Sequence, residues 1–274
     1  MSTDSQFFTF SRLSLLARKN LVEDWRSILL SCAGLFGLLV LIGILVSHFC
    51  YDEYVQPENY STFCNYRFFM WVLIIMFGVG AYVASIAFRT MKTAPAALST
   101  LMVPASQFEK YALRWLVAVP LFLLLLFVAA YIADWIRVGY ASAYYEMEVR
   151  PLPWGNILFD PEAAGYFKGF TSMGLLIYLC IQSFFLLGAI VWSRHSMLKT
   201  FVSCGVLIFL YVGFGAWIFT TFQNDGAYFY SGPEFFDNQD NMMTLIRIFL
   251  GLTTLLNYWL AYRRFRESEI INRW

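Results

Sequence analysis

Five stretches of this chain, residues 28–47, 69–88, 115–133, 170–192 and 200–222, contain no Asp, Glu, Lys, Arg or His, and a sixth, 242–262, is interrupted only by Arg247. A helix rises about 1.5 Å per residue, so ~20 residues cross the ~30 Å hydrocarbon layer. One charge at the centre of a spanning helix costs roughly 2.5–3.5 kcal/mol on insertion scales, which makes charge-free runs of this length hard to place elsewhere. The chain therefore reads as an all-α integral membrane protein with six transmembrane helices. Its 14% charged residues fall well below the ~25% of soluble domains.

The near-zero net charge conceals an asymmetry. With the N-terminus inside, the segments 1–27, 89–114, 193–199 and 263–274 share one side and hold 14 of the 19 Lys and Arg residues. Twelve of the 18 acidic residues fall on the other side. The excess of Lys and Arg predicts both termini in the cytoplasm. The residues form a single membrane domain, 1–274.

The first 26 residues do not read as a secretory signal, because Asp4, Arg12, Arg18, Lys19, Glu23, Asp24 and Arg26 leave no compact apolar core. Phe7, Phe10, Leu13, Ala17, Leu21 and Trp25 recur at helical spacing, with Arg18 and Lys19 off that stripe. The pattern predicts an amphipathic helix over 7–26, lying in the interface or packed on a partner. Of the five cysteines, Cys32, Cys180 and Cys204 sit in spans, where a thiol acts as a small hydrophobe. Cys50 and Cys64 fall in the first outer segment, where they could form a disulfide or stay as thiols at the membrane edge.

Pro120 should bend the third span or free a backbone carbonyl. Small residues at spacing four, Ala33 with Gly37, Gly80 with Ala84 and Ala81 with Ser85, favour close helix packing. The two long outer segments, 134–169 and 223–241, are rich in Tyr, Trp and Phe and read as interfacial or re-entrant pieces, forming either a lid or simple anchors.

No ionisable group lies deep in a span, which argues against proton relays and ion pumps. No His-Glu-x-x-His pair, no Gly-x-Ser-x-Gly turn and no Walker A pattern occurs, so neither an enzyme nor an ATP site is expected in this chain. No metal site is expected either, since the only histidines, His48 and His195, fall at opposite faces. Nothing in the charge pattern points to nucleic acid.

The segment between the second and third spans ends Pro104-Ala105-Ser106-Gln107-Phe108-Glu109-Lys110, with Arg114 following. Ser106 and Glu109 have capping-box spacing, so a helix should start there and continue into span three. A basic stretch, Tyr262-Arg263-Arg264-Phe265-Arg266 and then Glu269, follows the sixth span. In this loop, in the tail 263–274 and in its overall layout, the chain resembles the permease subunits of bacterial ATP-binding-cassette exporters whose ATPase is a separate polypeptide.

The resemblance implies that 7–26 is an interfacial connecting helix carrying Phe10, Leu13, Arg18, Lys19 and Trp25. It also implies that 91–110 is a cytoplasmic coupling loop, with Pro104, Ala105, Ser106, Glu109, Lys110 and Arg114 as candidate contacts to the ATPase. ATP and Mg would then sit on that partner, with no cofactor in this chain. A second permease copy or a related one would complete the path for an amphipathic, lipid-like or peptide-like substrate, in the bacterial cytoplasmic (inner) membrane. The contrasting expectation is a non-conducting scaffold or accessory subunit of a larger membrane complex, docking through its outer aromatic segments.

Overall fold

The structure is a computed structural model that describes residues 8–53, 57–89, 105–145, 149–159, 173–192, 195–224 and 239–270. Among the described residues every regular element is helical. In chain order these are α1 (Phe10–Glu53), α2 (Pro57–Ile86), α3 (Gln107–Leu116), a π-helical turn (Val117–Leu121), α4 (Phe122–Tyr145), α5 (Trp154–Phe159), α6 (Leu175–Val191), α7 (Ser196–Asn224) and α8 (Gln239–Ile270). Four stretches are long and apolar enough to cross a membrane: Phe10–Tyr51, Tyr60–Ile86, Gln107–Tyr145 and Met243–Glu267. Two shorter apolar stretches, Leu175–Val191 and Ser196–Leu207, overlap the expected fourth and fifth spans.

The helices overrun the expected spans, and this corrects the sequence reading in four places. The helix expected over 7–26 is not separate: α1 runs unbroken for 44 residues, about 66 Å. No Gly or Pro stands between Phe10 and Ala33 to end a helix, so the charged first third simply feeds into the apolar run. The next helix, α2, begins at Pro57, where proline suits a first helical position. Cys50 and Cys64 therefore lie on helices and not in a loop. Likewise α4 carries on past Ala133 to Tyr145, which brings Asp134 and Arg137 into the bundle instead of a solvated outer segment. Finally, α8 continues to Ile270, so most of the basic tail is helical.

Two expectations about local structure hold. Ser106 caps α3, accepting from the Glu109 N–H at 3.2 Å, while a Glu109 carboxylate oxygen accepts from the Ser106 N–H at 2.8 Å, which is the reciprocal capping box. Pro120, which has no N–H to donate, sits inside the π turn, and the Tyr178 hydroxyl of α6 donates to the Val119 carbonyl at 3.2 Å.

One core runs through α1, α2, α4, α6 and the last part of α8, built on Leu39, Phe68, Met76, Leu126, Tyr178, Leu186 and Phe265. Of the small-residue pairs, Ala84 and Ser85 are buried with Ala81 against Phe185 of α6, and a Cβ at Gly80 would overlap the Gln182 amide. That pair brings α2 and α6 together. Ala33 is exposed and Gly37 has open space around it, so this pair makes no packed interface among the described residues.

The end of the bundle where α1 begins is called the lower end, and the end where it finishes the upper end. At the lower end Phe8, Phe88, Phe108, Tyr111, Tyr262 and Phe265 form a connected set of ring contacts, with centroids 5.4–6.1 Å apart. The set draws together the start of α1, the finish of α2, the start of α3 and the finish of α8. At the upper end Tyr145 of α4 stacks on Tyr51 of α1 at 4.0 Å, and its hydroxyl lies 2.9 Å from His48 Nδ1. Between these attachments residues 18–31 of α1 are exposed on every face.

Candidate functional site

The densest polar cluster lies near the upper end and is organised by α4. Asp134 and Arg137 stand three residues apart, hence on one helix face, and both side chains are fully buried. The Arg137 Nε and Nη2 groups donate to Asp134 Oδ1 at 2.9 and 2.7 Å. The other carboxylate oxygen accepts from the Leu152 N–H at 2.8 Å and from the Trp154 indole N–H at 3.2 Å. Asp134 thus accepts four hydrogen bonds, which saturates a carboxylate.

The guanidinium also reaches α2. Nη1 donates to the Cys64 sulfur at 2.9 Å, Nη2 donates to Asn65 Oδ1 at 2.5 Å, and the cation lies over the Phe68 ring at 5.3 Å. Asn65 spends its amide nitrogen on the Arg150 carbonyl at 3.2 Å, and the Ser61 hydroxyl accepts from the Arg150 N–H at 2.8 Å. Gly43 makes the close approach of α1 possible, since a Cβ there would lie 3.3 Å from that of Arg137. Two buried charges survive at this depth because each is paired and fully hydrogen-bonded. Chemically the arrangement is a clamp. It ties the segment 149–157 to α2 and α4, and its carboxylate has no lone pair left for a substrate or a proton relay.

Beside the clamp the faces of α1 and α2 meet through two matched pairs. Ser47 and Cys50 lie three apart on α1, and Tyr60 and Cys64 lie four apart on α2. The Tyr60 hydroxyl donates to the Ser47 carbonyl at 3.0 Å, and the Ser47 hydroxyl is 3.8 Å from the Cys64 sulfur. Cys50 and Cys64 are fully buried and stand as free thiols in this structure, one of the two forms the sequence left open.

A second polar cluster sits mid-bundle. Asn257 of α8 donates to the Ser183 hydroxyl of α6 at 3.0 Å, and Ser183 donates to the Cys180 carbonyl at 2.7 Å. The adjoining Gln182 is fully buried with neither its amide oxygen nor its amide nitrogen hydrogen-bonded.

The expected coupling residues divide. Residues 90–104, including Pro104, lie outside the described residues. Ala105 and Ser106 are half-buried at the α3 cap, and Arg114 lies half-buried over the Phe88 ring at 5.3 Å. Glu109 is fully buried, since its second carboxylate oxygen accepts from the Thr9 N–H at 2.7 Å, and Lys110 is almost as buried. Glu109 thus ties the start of α1 to the start of α3, and both it and Lys110 are buried among the described residues. Of the residues expected in an interfacial helix, Phe10 and Trp25 are exposed and Leu13 is half-buried; Arg18 is exposed, and exposed Lys19 lies 3.7 Å from Glu23. No cluster of metal-ligating side chains occurs among the described residues.

Sequence reasoning missed the Asp134–Arg137 pair because both charges followed an apolar run and were counted with an outer segment. The available signal was their spacing: opposite charges three apart, flanked by Ala133, Trp135, Ile136 and Val138, on a stretch with nothing to end the helix. Comparison with protein-family models, with curated proteins and with solved structures finds no match for this chain.

Proposed function

We propose that the chain crosses the membrane six times with both termini in the cytoplasm, and that it is the permease half of an ATP-driven exporter whose ATPase is a separate polypeptide. The observation that carries this reading is the bracing of the lower end. The connection 90–104 enters α3 directly at Ser106, and from there Glu109 and the aromatic set reach α1, α2 and α8. A force applied to that connection is delivered to four helices together and not to one.

The positive-inside asymmetry sets this end in the cytoplasm, where an ATPase would dock. The docking surface is then the connection itself with the exposed cations Arg263 and Arg266 of α8, because Glu109 bonds internally and Lys110 is buried. ATP and Mg belong to the partner. Among the described residues the mid-bundle polar cluster is of neutral groups, Gln182, Ser183 and Asn257, which suits an amphipathic, lipid-like or peptide-like substrate better than an ion. A second copy of the chain, or a relative, would supply the other half of the path.

Affinity purification of the tagged protein from its native membrane, with mass spectrometry of what accompanies it, tests the reading. A soluble ATPase is expected at about one copy per permease. Recovery of the chain alone, or in a membrane assembly with no ATPase, would refute it and favour a scaffold.

A further inference from the structure

We infer that Cys50 and Cys64 are the site of a disulfide that staples the upper ends of α1 and α2 in the mature protein. The inference rests on the proposed topology, which puts these helix ends on the outer, oxidising side of the membrane.

Three features of the structure carry it. First, the two cysteines lie on adjoining helices whose faces are held in register by Ser47 and Tyr60 one turn away, with the Ser47 hydroxyl 3.8 Å from the Cys64 sulfur. Second, both are fully buried, so a bridge between them exposes nothing and displaces no solvated group. Third, the sulfur of Cys64 is the only described thiol that accepts a hydrogen bond from a cation, the Arg137 guanidinium at 2.9 Å. Thiolates are the attacking species in disulfide exchange, and a cation beside a sulfur favours that form.

The chemistry balances with one external oxidant, a disulfide carried by a thiol oxidoreductase of the outer compartment. Cys64, having lost its proton, attacks one sulfur of that disulfide and releases the other as a thiolate, leaving a mixed disulfide. Cys50 then loses its proton and attacks the Cys64 sulfur, forming the Cys50–Cys64 bond and releasing the second carrier thiolate. Two protein thiols are oxidised and one carrier disulfide is reduced to two thiols, which take up the two protons. Because both cysteines are buried in the folded bundle, the exchange belongs to insertion, before the segment 149–157 closes over Arg137.

The bond would fix the upper ends as a rigid unit, so that any movement driven from the lower end is taken up below it. Among the described residues no cation donates to Cys32, Cys180 or Cys204, and these are expected to remain thiols, which makes them internal controls.

The test blocks free thiols in native membranes under denaturing conditions with N-ethylmaleimide, then maps the cysteines by non-reducing peptide mass spectrometry. A fluorescent protein that matures only in the cytoplasm, fused ahead of residue 1, reports topology separately. The expected result is a Cys50–Cys64 linked peptide with maleimide on the other three, together with a fluorescent fusion. Reduction should lower the thermal midpoint of the wild type by several degrees and leave that of the Cys50→Ser and Cys64→Ser variants unchanged. Maleimide on both Cys50 and Cys64 in a fluorescent fusion would overturn the disulfide and leave the topology standing. A dark fusion would overturn the topology and the disulfide with it.

Discussion

Arg137 is held by four hydrogen bonds and a ring, and Asp134 accepts two of those bonds and two more from the segment that follows α4. Removing one member of a buried pair leaves the other charge without compensation, which costs about 3–5 kcal/mol, while replacing both by apolar residues of similar size can be neutral. Asp134→Ala should therefore lower the thermal midpoint in detergent sharply and reduce the yield of folded protein. The double change Asp134→Leu with Arg137→Met should recover most of the loss. Equal losses in single and double variants would show that the contacts to Leu152, Trp154 and Asn65 matter more than the charge pair. This pair was invisible to span counting, which treats any charge beyond an apolar run as solvated. Glu109 was legible as a cap because the capping box is a local signal. Its bond to the Thr9 N–H, 100 residues away, was not.

Among the elements, α1 departs furthest from expectation. An amphipathic pattern says which faces differ in polarity but not whether the helix stops, and with no Gly or Pro before residue 34 it does not stop. The outcome is one helix with three environments: a start pinned at Glu109, a stretch over 18–31 exposed among the described residues, and a buried finish at Leu39, Val46, Ser47 and Cys50. Backbone hydrogen bonds that lack side-chain packing open readily. Hydrogen–deuterium exchange on the purified protein should find amides of 18–26 exchanging at least tenfold faster than those of 39–50. Uniformly slow exchange along α1 would mean that a partner or a second copy covers the free stretch. The π turn at Pro120 was legible in kind, because a proline without an N–H has to disturb its helix. Its partner, Tyr178, could be found only by knowing that α6 lies alongside.

At the scale of the whole molecule the two ends are built differently, and the proposed function depends on the difference. The upper end is closed by a saturated ion pair under a folded-back segment, whereas the lower end is joined by aromatic contacts and one carboxylate that accepts from two backbone amides, Thr9 and Ser106. Hydrogen bonds to a charged group contribute about 1.5–3 kcal/mol each. Glu109→Ala should thus detach the start of α1 from α3, at a cost of about 2–3 kcal/mol, and, under the proposed function, separate ATPase turnover from transport. Coupled assays on proteoliposomes would show ATP hydrolysis retained and export reduced several-fold. Unchanged export would remove the lower-end brace from the mechanism. Helical class and four stretches long and apolar enough to cross a membrane were readable from composition alone, because apolar runs of that length are a local property of the chain. The packing order was not, since lipid tails are as apolar as Leu and hydropathy cannot tell a lipid-facing side from a buried one.

The saturation of Asp134 also has an evolutionary consequence. A carboxylate with every lone pair taken, facing a guanidinium committed to three partners, leaves no single replacement at 134 or 137 that keeps all the bonds. Descent with modification at these two positions has to pass through a weakened intermediate or change both together. Among chains that share this ancestry, the acid and the base should be inherited as a unit or lost as one, with Asn65 and Trp154 free to vary only where the pair is gone.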